Sequence, residues 1–378
     1  MNVSDSIRYI GVYDDAIDLF EGQYPVPRGI SYNSYLILDE KVALMDTVDH
    51  RATEKWLANL SEALDGRRID YLIVSHMEPD HAGSLQRVAE LYPEMTIVGN
   101  AKTFPMISQF FPLDLTGRTL VVKEGDTLSL GEHTLTFTMA PMVHWPEVMM
   151  SYESKEKIVF AADAFGRFGD PDSGEDWTNE ARRYFINIVG KYGVQVQAVL
   201  KKLAGLEVSM ICPLHGPILK DNLGFYIGLY DTWSSYRPEE KGVLVAYASI
   251  HGHTAEAAAY LAEQLEAKGE KVCLMNLGRA DLSEAVAQAF RFDRMVLACS
   301  TYDGGIFTPM DAFLHRLKAK SYQNRTVYLI ENGTWAPMAA KQMRAALEEM
   351  KNITVAEPVI TIRSAMNDTV KEALASLI

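Results

Sequence analysis

The segment 74–84, with the sequence VSHMEPDHAGS, constrains this chain more than any other stretch. It begins at the end of a short, continuous apolar run (71–74), which is typical of a buried strand. Four side chains that can bind a metal ion lie close together in it: His76, Glu78, Asp80 and His81. The last two are expected in the turn into a helix that Gly83 and Ser84 begin. Because α/β sheets place their sites at the carboxyl ends of strands, these donors predict a metal centre.

The ligand types indicate which metal to expect. Zinc hydrolases favour nitrogen-rich ligand sets, whereas mixed imidazole and carboxylate sets with open positions suit redox iron. In this chain a carboxylate, Glu78, stands where a third histidine could have been. The segment therefore favours iron.

Three further residues are expected to complete the centre. His144 follows a predicted strand at 134–139, Asp163 one at 158–160, and His215 one at 208–212. Each lies in a turn that contains proline or glycine. A single histidine in such a place is usually structural, but three strand ends of this kind favour one shared site.

Charge is unevenly distributed along the 378 residues. Residues 1–241 hold 35 acidic and 22 basic side chains, and residues 242–378 hold 15 and 14, so the net charges of -13 and -1 give the total of -14. Phosphate binding needs clustered basic side chains, so a nucleic-acid partner is not expected. The change in charge also predicts a domain boundary near residue 241, and the 48% hydrophobic composition supports two sizeable cores.

The three cysteines, Cys212, Cys273 and Cys299, lie far apart in the sequence. This spacing argues against disulfides, an iron–sulfur cluster and a built-in rubredoxin-type site. The chain has no run of eighteen apolar residues, and residues 1–22 carry acidic side chains instead of a basic region before an apolar segment. We therefore expect a soluble, cytoplasmic protein with no membrane partner.

The first part of the chain predicts a layered sandwich of two sheets with helices outside. A hairpin is expected from 31–38 and 42–45, helices at 52–64 and 84–91, and strands at 95–98, 119–122 and 127–130. A helical pattern over 177–203 is broken by Gly190 and Gly193. Tyr192, between these glycines, is a candidate hydrogen-bond donor to the metal pocket, but ordinary packing of a helical turn is the favoured explanation.

After a polar linker at 231–241, the second part begins with a buried strand at 242–247 and a helix at 255–268. The loop between them presents hydroxyl groups and backbone N–H groups at a helix N-terminus, which suits a phosphate. Predicted strands at 295–299 and 326–330 lead to two more glycine-containing loops. No GxGxxG motif follows a strand, so a nicotinamide cofactor is not expected.

These three loops resemble those of flavodoxin, in which FMN binds at the carboxyl ends of a doubly wound parallel sheet. The resemblance implies that the phosphate lies on the first loop, with the two histidines contributing through backbone N–H groups, and that the flavin ring lies between the other two. The first loop comprises Ser249, Ile250, His251, Gly252, His253 and Thr254. The ring loops comprise Ser300, Thr301, Tyr302, Asp303, Gly304 and Gly305, and Asn332, Gly333, Thr334 and Trp335.

The motif HMEPDH at 76–81, with the three downstream donors, resembles the metallo-β-lactamase-like domain of the flavodiiron proteins. Hydrolases of that superfamily have histidine where Glu78 stands. The resemblance implies an αβ/βα sandwich and a non-haem diiron centre. It implies one iron bound by His76, Glu78 and His144, another bound by Asp80 and His215, and a bridging carboxylate, Asp163. Family members differ over whether the residue at His81 binds iron or leaves its place to water.

The resemblance as a whole implies a diiron domain at 1–240 and a flavodoxin-like FMN domain at 241–378. Electrons from a separate donor, usually rubredoxin, would pass through FMN to an iron pair that reduces O2 to water, NO to N2O, or both. It also implies a head-to-tail homodimer or a dimer of dimers. The alternatives are a zinc hydrolase fused to a flavodoxin domain, and a flavodoxin-type electron carrier or gas sensor.

Overall fold

The structure, a computed structural model, describes residues 3–377. The outer ends of the two predicted domains, residues 1–2 and 378, lie outside the described residues. Contacts group the chain into two units. One unit runs to Phe185 and includes Val194–Asp231, and the other comprises Ile186–Gly193 and the chain from Thr232 onward.

The first unit contains two mixed sheets and two short antiparallel ribbons. The first sheet has the spatial order Ile7–Tyr9, Tyr35–Leu38, Val42–Met45, Tyr71–Ile73, Thr96–Gly99 and Thr119–Val121. The second has the order Thr127–Ser129, Thr134–Met139, Met149–Glu153, Ile158–Phe160 and Met210–Cys212. The ribbons pair Val12–Asp14 with Ile30–Tyr32, and Leu19–Phe20 with Tyr24–Pro25.

The two sheets share one hydrophobic core. Ile37, Met45 and Ile73 of the first sheet belong to the same buried cluster as Phe137 and Phe160 of the second. Successive side chains of a strand point to opposite faces, and the opposite face of the first sheet is buried as well. Its residues include Leu36, Leu44, Leu72 and Ile97. Both faces are therefore covered, as an αβ/βα sandwich requires.

The first unit contains helices close to those predicted at 52–64, 84–91 and 177–203, and others that were not predicted. They are Thr53–Leu64, Pro79–Ala82, Leu85–Leu91, Thr103–Phe110, Trp177–Tyr184, Gly193–Leu203 and Leu223–Ser234, with a 3-10 turn at His50–Ala52. Thr53–Leu64 buries Trp56, Leu60 and Leu64, as its periodicity predicts. Within residues 3–377, none of the helices has both the length and the apolar composition needed to span a bilayer.

Two local predictions for the first unit need correction. Asp80 and His81 lie inside the short helix Pro79–Ala82, not in a turn before a helix, because proline at the first helical position starts the helix early. The segment 31–38 is not one strand. Asn33 interrupts it by donating from its side chain to the carbonyl oxygens of Pro213 and Gly216, so the residues on either side pair in different sheets.

The second unit is built on a parallel sheet with helices between its strands. The spatial order is Val272–Asn276, Glu240–Ala248, Phe292–Tyr302, Arg325–Asn332 and Ile353–Val355, with Ile360–Ile362 paired to the fourth strand and Gly305–Ile306 to the third. In chain order this is 2-1-3-4-5, the flavodoxin-like form of a doubly wound sheet. The helices are His253–Ala267, Leu282–Arg291, Thr308–Ala319, Ala339–Glu348 and Asp368–Ala375.

The region predicted as a linker is shorter than expected. Helix Leu223–Ser234 takes its first residues and strand Glu240–Ala248 takes its last, which leaves 235–239 as the connection. The break predicted near Gly190 and Gly193 is present as a π-helical turn at Phe185–Val189 and a 3-10 turn at Gly190–Tyr192. Residues 186–193 group with the second unit, and the domain boundary near 241 remains a prediction.

The turn after Met210–Cys212 depends on a glycine. Gly216 has φ of +77°, and an added Cβ would lie 2.8 Å from Cγ and 3.2 Å from the backbone nitrogen of Arg167. Gly216→Ala should therefore destabilise the first unit by about 1–3 kcal/mol through backbone strain and overpacking. Thermal unfolding followed by circular dichroism measures the effect. Gly205→Ala is the control, because Gly205 has open space around it, and equal melting temperatures for the two variants would contradict the prediction.

Candidate metal centre and flavin site

The predicted metal donors come from both sheets of the first unit and lie at the carboxyl ends of their strands. Tyr71–Ile73 of the first sheet leads to His76 and Glu78, and then to the helix with Asp80 and His81. The second sheet supplies His144, Asp163 and His215. The strands that precede His144, Asp163 and His215 run in the same direction. All seven side chains therefore meet at one end of the sandwich.

Four donors surround what we term the first position: His76, Glu78, His144 and Asp163. His144 Nε2 lies 3.0 Å from Glu78 Oε2 and 3.0 Å from Asp163 Oδ2. His76 Nε2 lies 3.3 Å and 3.4 Å from the same two oxygens. All four side chains are buried or nearly so, and the side chain of Glu78 is the most exposed at 12%.

Three donors surround the second position: Asp80, His81 and His215. Asp80 Oδ2 lies 3.1 Å from His215 Nε2 and 3.3 Å from His81 Nε2. The two Nε2 atoms are 3.1 Å apart. His81, which the sequence left open as a ligand, therefore points its Nε2 at the same place as its neighbours.

Asp163 connects the two positions. Its Oδ2 faces His144 and His76 of the first position, whereas its Oδ1 lies 3.0 Å from His81 Nε2 and 3.7 Å from His215 Nε2 of the second. One carboxylate thus offers a separate oxygen to each group. This is the arrangement of a bridging ligand between two metal ions.

The arrangement of the donor atoms suits bound metal ions better than it suits hydrogen bonds among the donors themselves. Both carboxylate oxygens of Asp80 and Oδ1 of Asp163 are buried without a hydrogen bond to the described residues, although imidazole nitrogens approach to 3.0 Å and 3.1 Å. Metal–ligand distances of about 2.0–2.2 Å place two ligands of one ion about 3–4.4 Å apart. The donor atoms in each group lie within 4.8 Å of one another, so they are directed at a common point.

Charge within the centre is balanced by the imidazoles. Burial opposes ionisation of Asp163, but the imidazoles of His81 and His76 outweigh it and hold the pKa of Asp163 well below its usual range. The pKa of Glu78 is lowered in the same way by His144 and His76 against the effect of burial. Both carboxylates are therefore charged at neutral pH and available as ligands.

The three predicted flavin loops of the second unit line one cavity of about 710 Å³. They meet where the sheet order reverses, between Glu240–Ala248 and Phe292–Tyr302, which is where doubly wound sheets bind ligands. Most of the predicted flavin contacts line it: Ser249, Ile250, His251, His253, Thr254, Ser300, Thr301, Tyr302, Asp303, Gly304, Asn332, Gly333, Thr334 and Trp335. Ala336 and Ser364 also line the cavity and were not predicted.

The first loop leads into a helix, whose first backbone N–H groups suit a phosphate. Gly252 precedes helix His253–Ala267 with φ of +99°, and its N–H donates to Ser249 Oγ at 3.1 Å. Thr254 Oγ1 lies 2.9 Å from Ser300 Oγ, which fixes two hydroxyl groups at the cavity wall. Gly252 and Gly305, two predicted contacts, do not line the cavity itself.

Comparison with known proteins also divides the chain into a metal-donor part and a flavin-loop part. Residues 30–216 match the model of the ODP family beta lactamases, and residues 244–359 match that of a flavodoxin domain. The chain is 29% identical to a nitric oxide reductase of Moorella thermoacetica over 96% of its own length and 92% of the relative's. It is 28% identical to the anaerobic nitric oxide reductase flavorubredoxin of Escherichia coli, over 92% of this chain and 75% of that protein.

Solved structures show the same similarity over nearly the whole chain. The rubredoxin oxygen:oxidoreductase of Desulfovibrio gigas matches with a TM-score of 0.92 and 27% identity over 100% of this chain and 96% of the other. The chain belongs to the flavodiiron protein family. The flavodiiron protein of Giardia intestinalis shares the fold, with a TM-score of 0.93 at 24% identity over 99% and 94% of the two chains. The predicted family and fold class are confirmed.

In this flavodiiron protein, residues outside the motifs hold the donors in place. Glu147 Oε1 accepts from His76 Nδ1 at 2.8 Å, and the carbonyl oxygen of Ser31 accepts from His215 Nδ1 at 2.7 Å. Asp46, with φ of +55°, accepts from the backbone N–H groups of Ser75 and His76. The only sequence signal for these contacts is that Glu147 stands three positions after His144.

Tyr184, which the sequence did not single out, lies near the metal donors. Tyr184 is fully buried, its ring centroid lies 5.5 Å from that of His215, and its hydroxyl has no hydrogen-bond partner among residues 3–377. Burial, followed by the charges of Asp163, Asp80 and Glu78, raises its pKa well above the usual value. Tyr192 groups with the second unit, where the Lys191 ammonium lies 5.9 Å from its ring centroid. Tyr184 is thus a neutral donor at the edge of the centre.

Metal uptake should depend on pH in a defined direction. Burial lowers the pKa of His144, but hydrogen bonds to Asp163 and Glu78 outweigh it and raise this pKa to about 9. The metal-free protein therefore keeps this proton at neutral pH, and a bound metal ion must displace it. Zn²⁺ affinity should fall by about tenfold or more for each unit of pH lowered from about 8 to 6.

Competition with a chelator of known pH dependence measures this affinity. His315→Gln is the control, because His315 is exposed and outside the centre, and its pH profile should equal that of the wild type. An affinity that does not change over this range would contradict the raised pKa of His144.

Proposed function

We propose that this protein is a flavodiiron oxidoreductase with two iron ions in the first unit and FMN in the second. It accepts electrons from a separate donor protein and reduces O2 to water, NO to N2O, or both. The observation that carries the proposal is Asp163, whose two oxygens face two different groups of donors. Relatives named as nitric oxide reductase and as rubredoxin oxygen:oxidoreductase support the same chemistry.

The donor set supports iron over zinc. Three carboxylates, Glu78, Asp80 and Asp163, accompany the four imidazoles, whereas hydrolytic zinc sites favour nitrogen-rich sets. Bound as a pair, the irons supply electrons and adjacent open positions for a diatomic gas. A reduced flavin and two ferrous ions together hold the four electrons that full reduction of O2 requires. The zinc hydrolase alternative predicts zinc in the purified protein, and the electron-carrier or sensor alternative predicts no turnover.

The chain's own residues perform the remaining tasks. Asp163 fixes the spacing of the two positions, while Glu147 and the Ser31 carbonyl orient the imidazoles of His76 and His215. Tyr184 offers a hydroxyl whose raised pKa keeps its proton at neutral pH. In the second unit, Ser249, Thr254 and the N–H groups at the start of helix His253–Ala267 would hold the phosphate of FMN.

Asp163→Ala tests the metal centre. Removing the shared carboxylate should reduce bound iron from about two per chain to well below one, and should abolish reduction of both gases. FMN should remain at one per chain, because its cavity is lined by second-unit residues alone. Iron is measured by atomic emission, flavin by absorbance after release, and turnover by parallel O2 and NO assays after anaerobic reduction.

Asp172→Ala is the matched control for this experiment. Asp172 is exposed in a nearby loop and belongs to neither donor group. This variant should keep iron, FMN and turnover at wild-type levels. Loss of FMN together with iron in Asp163→Ala would show that the two units are not independent.

A homodimer forms part of the proposal. Trp335 and Tyr302, which line the flavin cavity, are 87% and 47% exposed, which is unusual for large aromatic side chains and favours a protein surface that covers them. A head-to-tail arrangement with twofold symmetry would place the flavin of one subunit beside the metal centre of the other. Rubredoxin is the proposed donor, in line with the printed name of the Desulfovibrio gigas enzyme.

Mixed dimers test transfer between subunits. Asp163→Ala removes the metal centre of one chain, and Gly304→Val should disable the flavin site of the other, because a branched side chain at φ of +70° reshapes the cavity wall. Each hybrid dimer keeps one intact flavin–metal pair across the interface, so it should have about half of the wild-type turnover. Inactive hybrids, with both variants folded and dimeric, would overturn the proposed arrangement.

A further inference from the structure

Glu147 lies directly behind one of the metal donors. Its side chain is fully buried, and its Oε1 accepts from the backbone N–H of Met77 at 2.8 Å and from His76 Nδ1 at 2.8 Å. With Nδ1 held in this way, His76 presents Nε2 to Glu78 and Asp163. The side-chain amide of Asn100 donates to the carbonyl oxygen of Glu147 and fixes its backbone as well.

The two metal positions are otherwise matched. Each has two imidazoles and one carboxylate of its own, and both share Asp163. They differ in the groups that accept hydrogen bonds from the Nδ1 atoms of the imidazoles. At the second position His215 Nδ1 donates to a neutral group, the Ser31 carbonyl, and His81 Nδ1 has no hydrogen-bond partner among residues 3–377.

In the described part of the chain, no carboxylate accepts a hydrogen bond from the Nδ1 of His81 or His215. Asp46 is the other buried acid near the donors, but it accepts from the backbone N–H groups of Ser75 and His76 and does not bond to an imidazole. Among residues 3–377, only the first position therefore has an anionic partner hydrogen-bonded to the far nitrogen of a ligand imidazole. A carboxylate in that place raises the basicity of the imidazole and fixes its orientation.

We propose that Glu147 is a positioning residue that makes the first position, built on His76, Glu78 and His144, the more electron-rich of the two. This inference rests on the proposed function, since it requires iron at both positions. An additional buried negative charge stabilises the more highly charged state of the nearby ion. The iron at the first position is therefore harder to reduce, and the two irons have unequal reduction potentials.

The test separates the charge of Glu147 from its hydrogen bonds. Glu147→Gln keeps an oxygen that accepts from His76 Nδ1 and Met77 but removes the negative charge. Glu147→Ala removes both. Glu153→Gln is the matched control: Glu153 is fully buried, its Oε1 lies 3.1 Å from His133 Nδ1, and it accepts from the backbone N–H groups of Lys155 and Glu156. It provides a buried acid close to an imidazole, away from the metal donors.

Reductive titration of protein loaded with iron-57, followed by Mössbauer spectroscopy, reports both potentials and both iron environments. Glu147→Gln should keep two irons, raise the lower potential and alter one of the two spectral components. Glu147→Ala should bind Zn²⁺ about 10–100-fold more weakly at one of its two positions in chelator competition. Glu153→Gln should match the wild type in every measurement.

Three results would overturn the inference: unchanged potentials in Glu147→Gln, an equal shift of both irons, or the same shift in Glu153→Gln. A wild-type protein that binds no iron would instead refute the proposed function on which the inference rests. If Glu147→Ala does not fold, Glu147→Gln alone decides, because it preserves the shape and the hydrogen-bond acceptor of the side chain.

Discussion

The buried carboxylate of Asp163 is the interaction on which the rest of this structure depends. Taking an unpaired carboxylate out of water costs several kcal/mol, so its burial requires positive charge close by. The imidazoles of His76, His81 and His144 approach it within 3.0–3.4 Å, and they come from two separate parts of the chain. The folded first unit thus gathers its donors around one charge that would be unfavourable alone.

The sandwich makes this gathering possible. His76 follows a strand of the first sheet and Asp163 follows a strand of the second. The centre therefore connects two sheets whose facing side chains form one core. Because a packed core resists local deformation, the two sheets hold the starting points of the donor segments at fixed positions. Positive φ at Met142 and Ala162, close to His144 and Asp163, shows that the turns adopt unfavourable conformations to aim these ligands.

The metal donors could be predicted from the sequence, whereas the residues that hydrogen-bond to them could not. His76 and Asp163 follow short apolar runs that identify strands directly, and turn residues mark where each strand ends. Glu147, in contrast, meets His76 across 71 positions of sequence, and Ser31 meets His215 across 184. No local periodicity records such contacts, because they depend on how the two sheets pack. The same limit explains why Tyr184, whose ring lies 5.5 Å from that of His215, was not singled out from the sequence.

The exposure of the two sites also separates their tasks. The metal donors are buried, with at most 12% of a side chain accessible, so only a small molecule can reach them without a large rearrangement. The flavin cavity has the opposite character, since Trp335 at its rim is 87% exposed. A protein surface can therefore contact the rim of the flavin cavity, whereas a small molecule can reach the buried metal donors. This division agrees with the proposed function, in which a gas is the substrate of the buried centre and another protein delivers electrons at the flavin cavity.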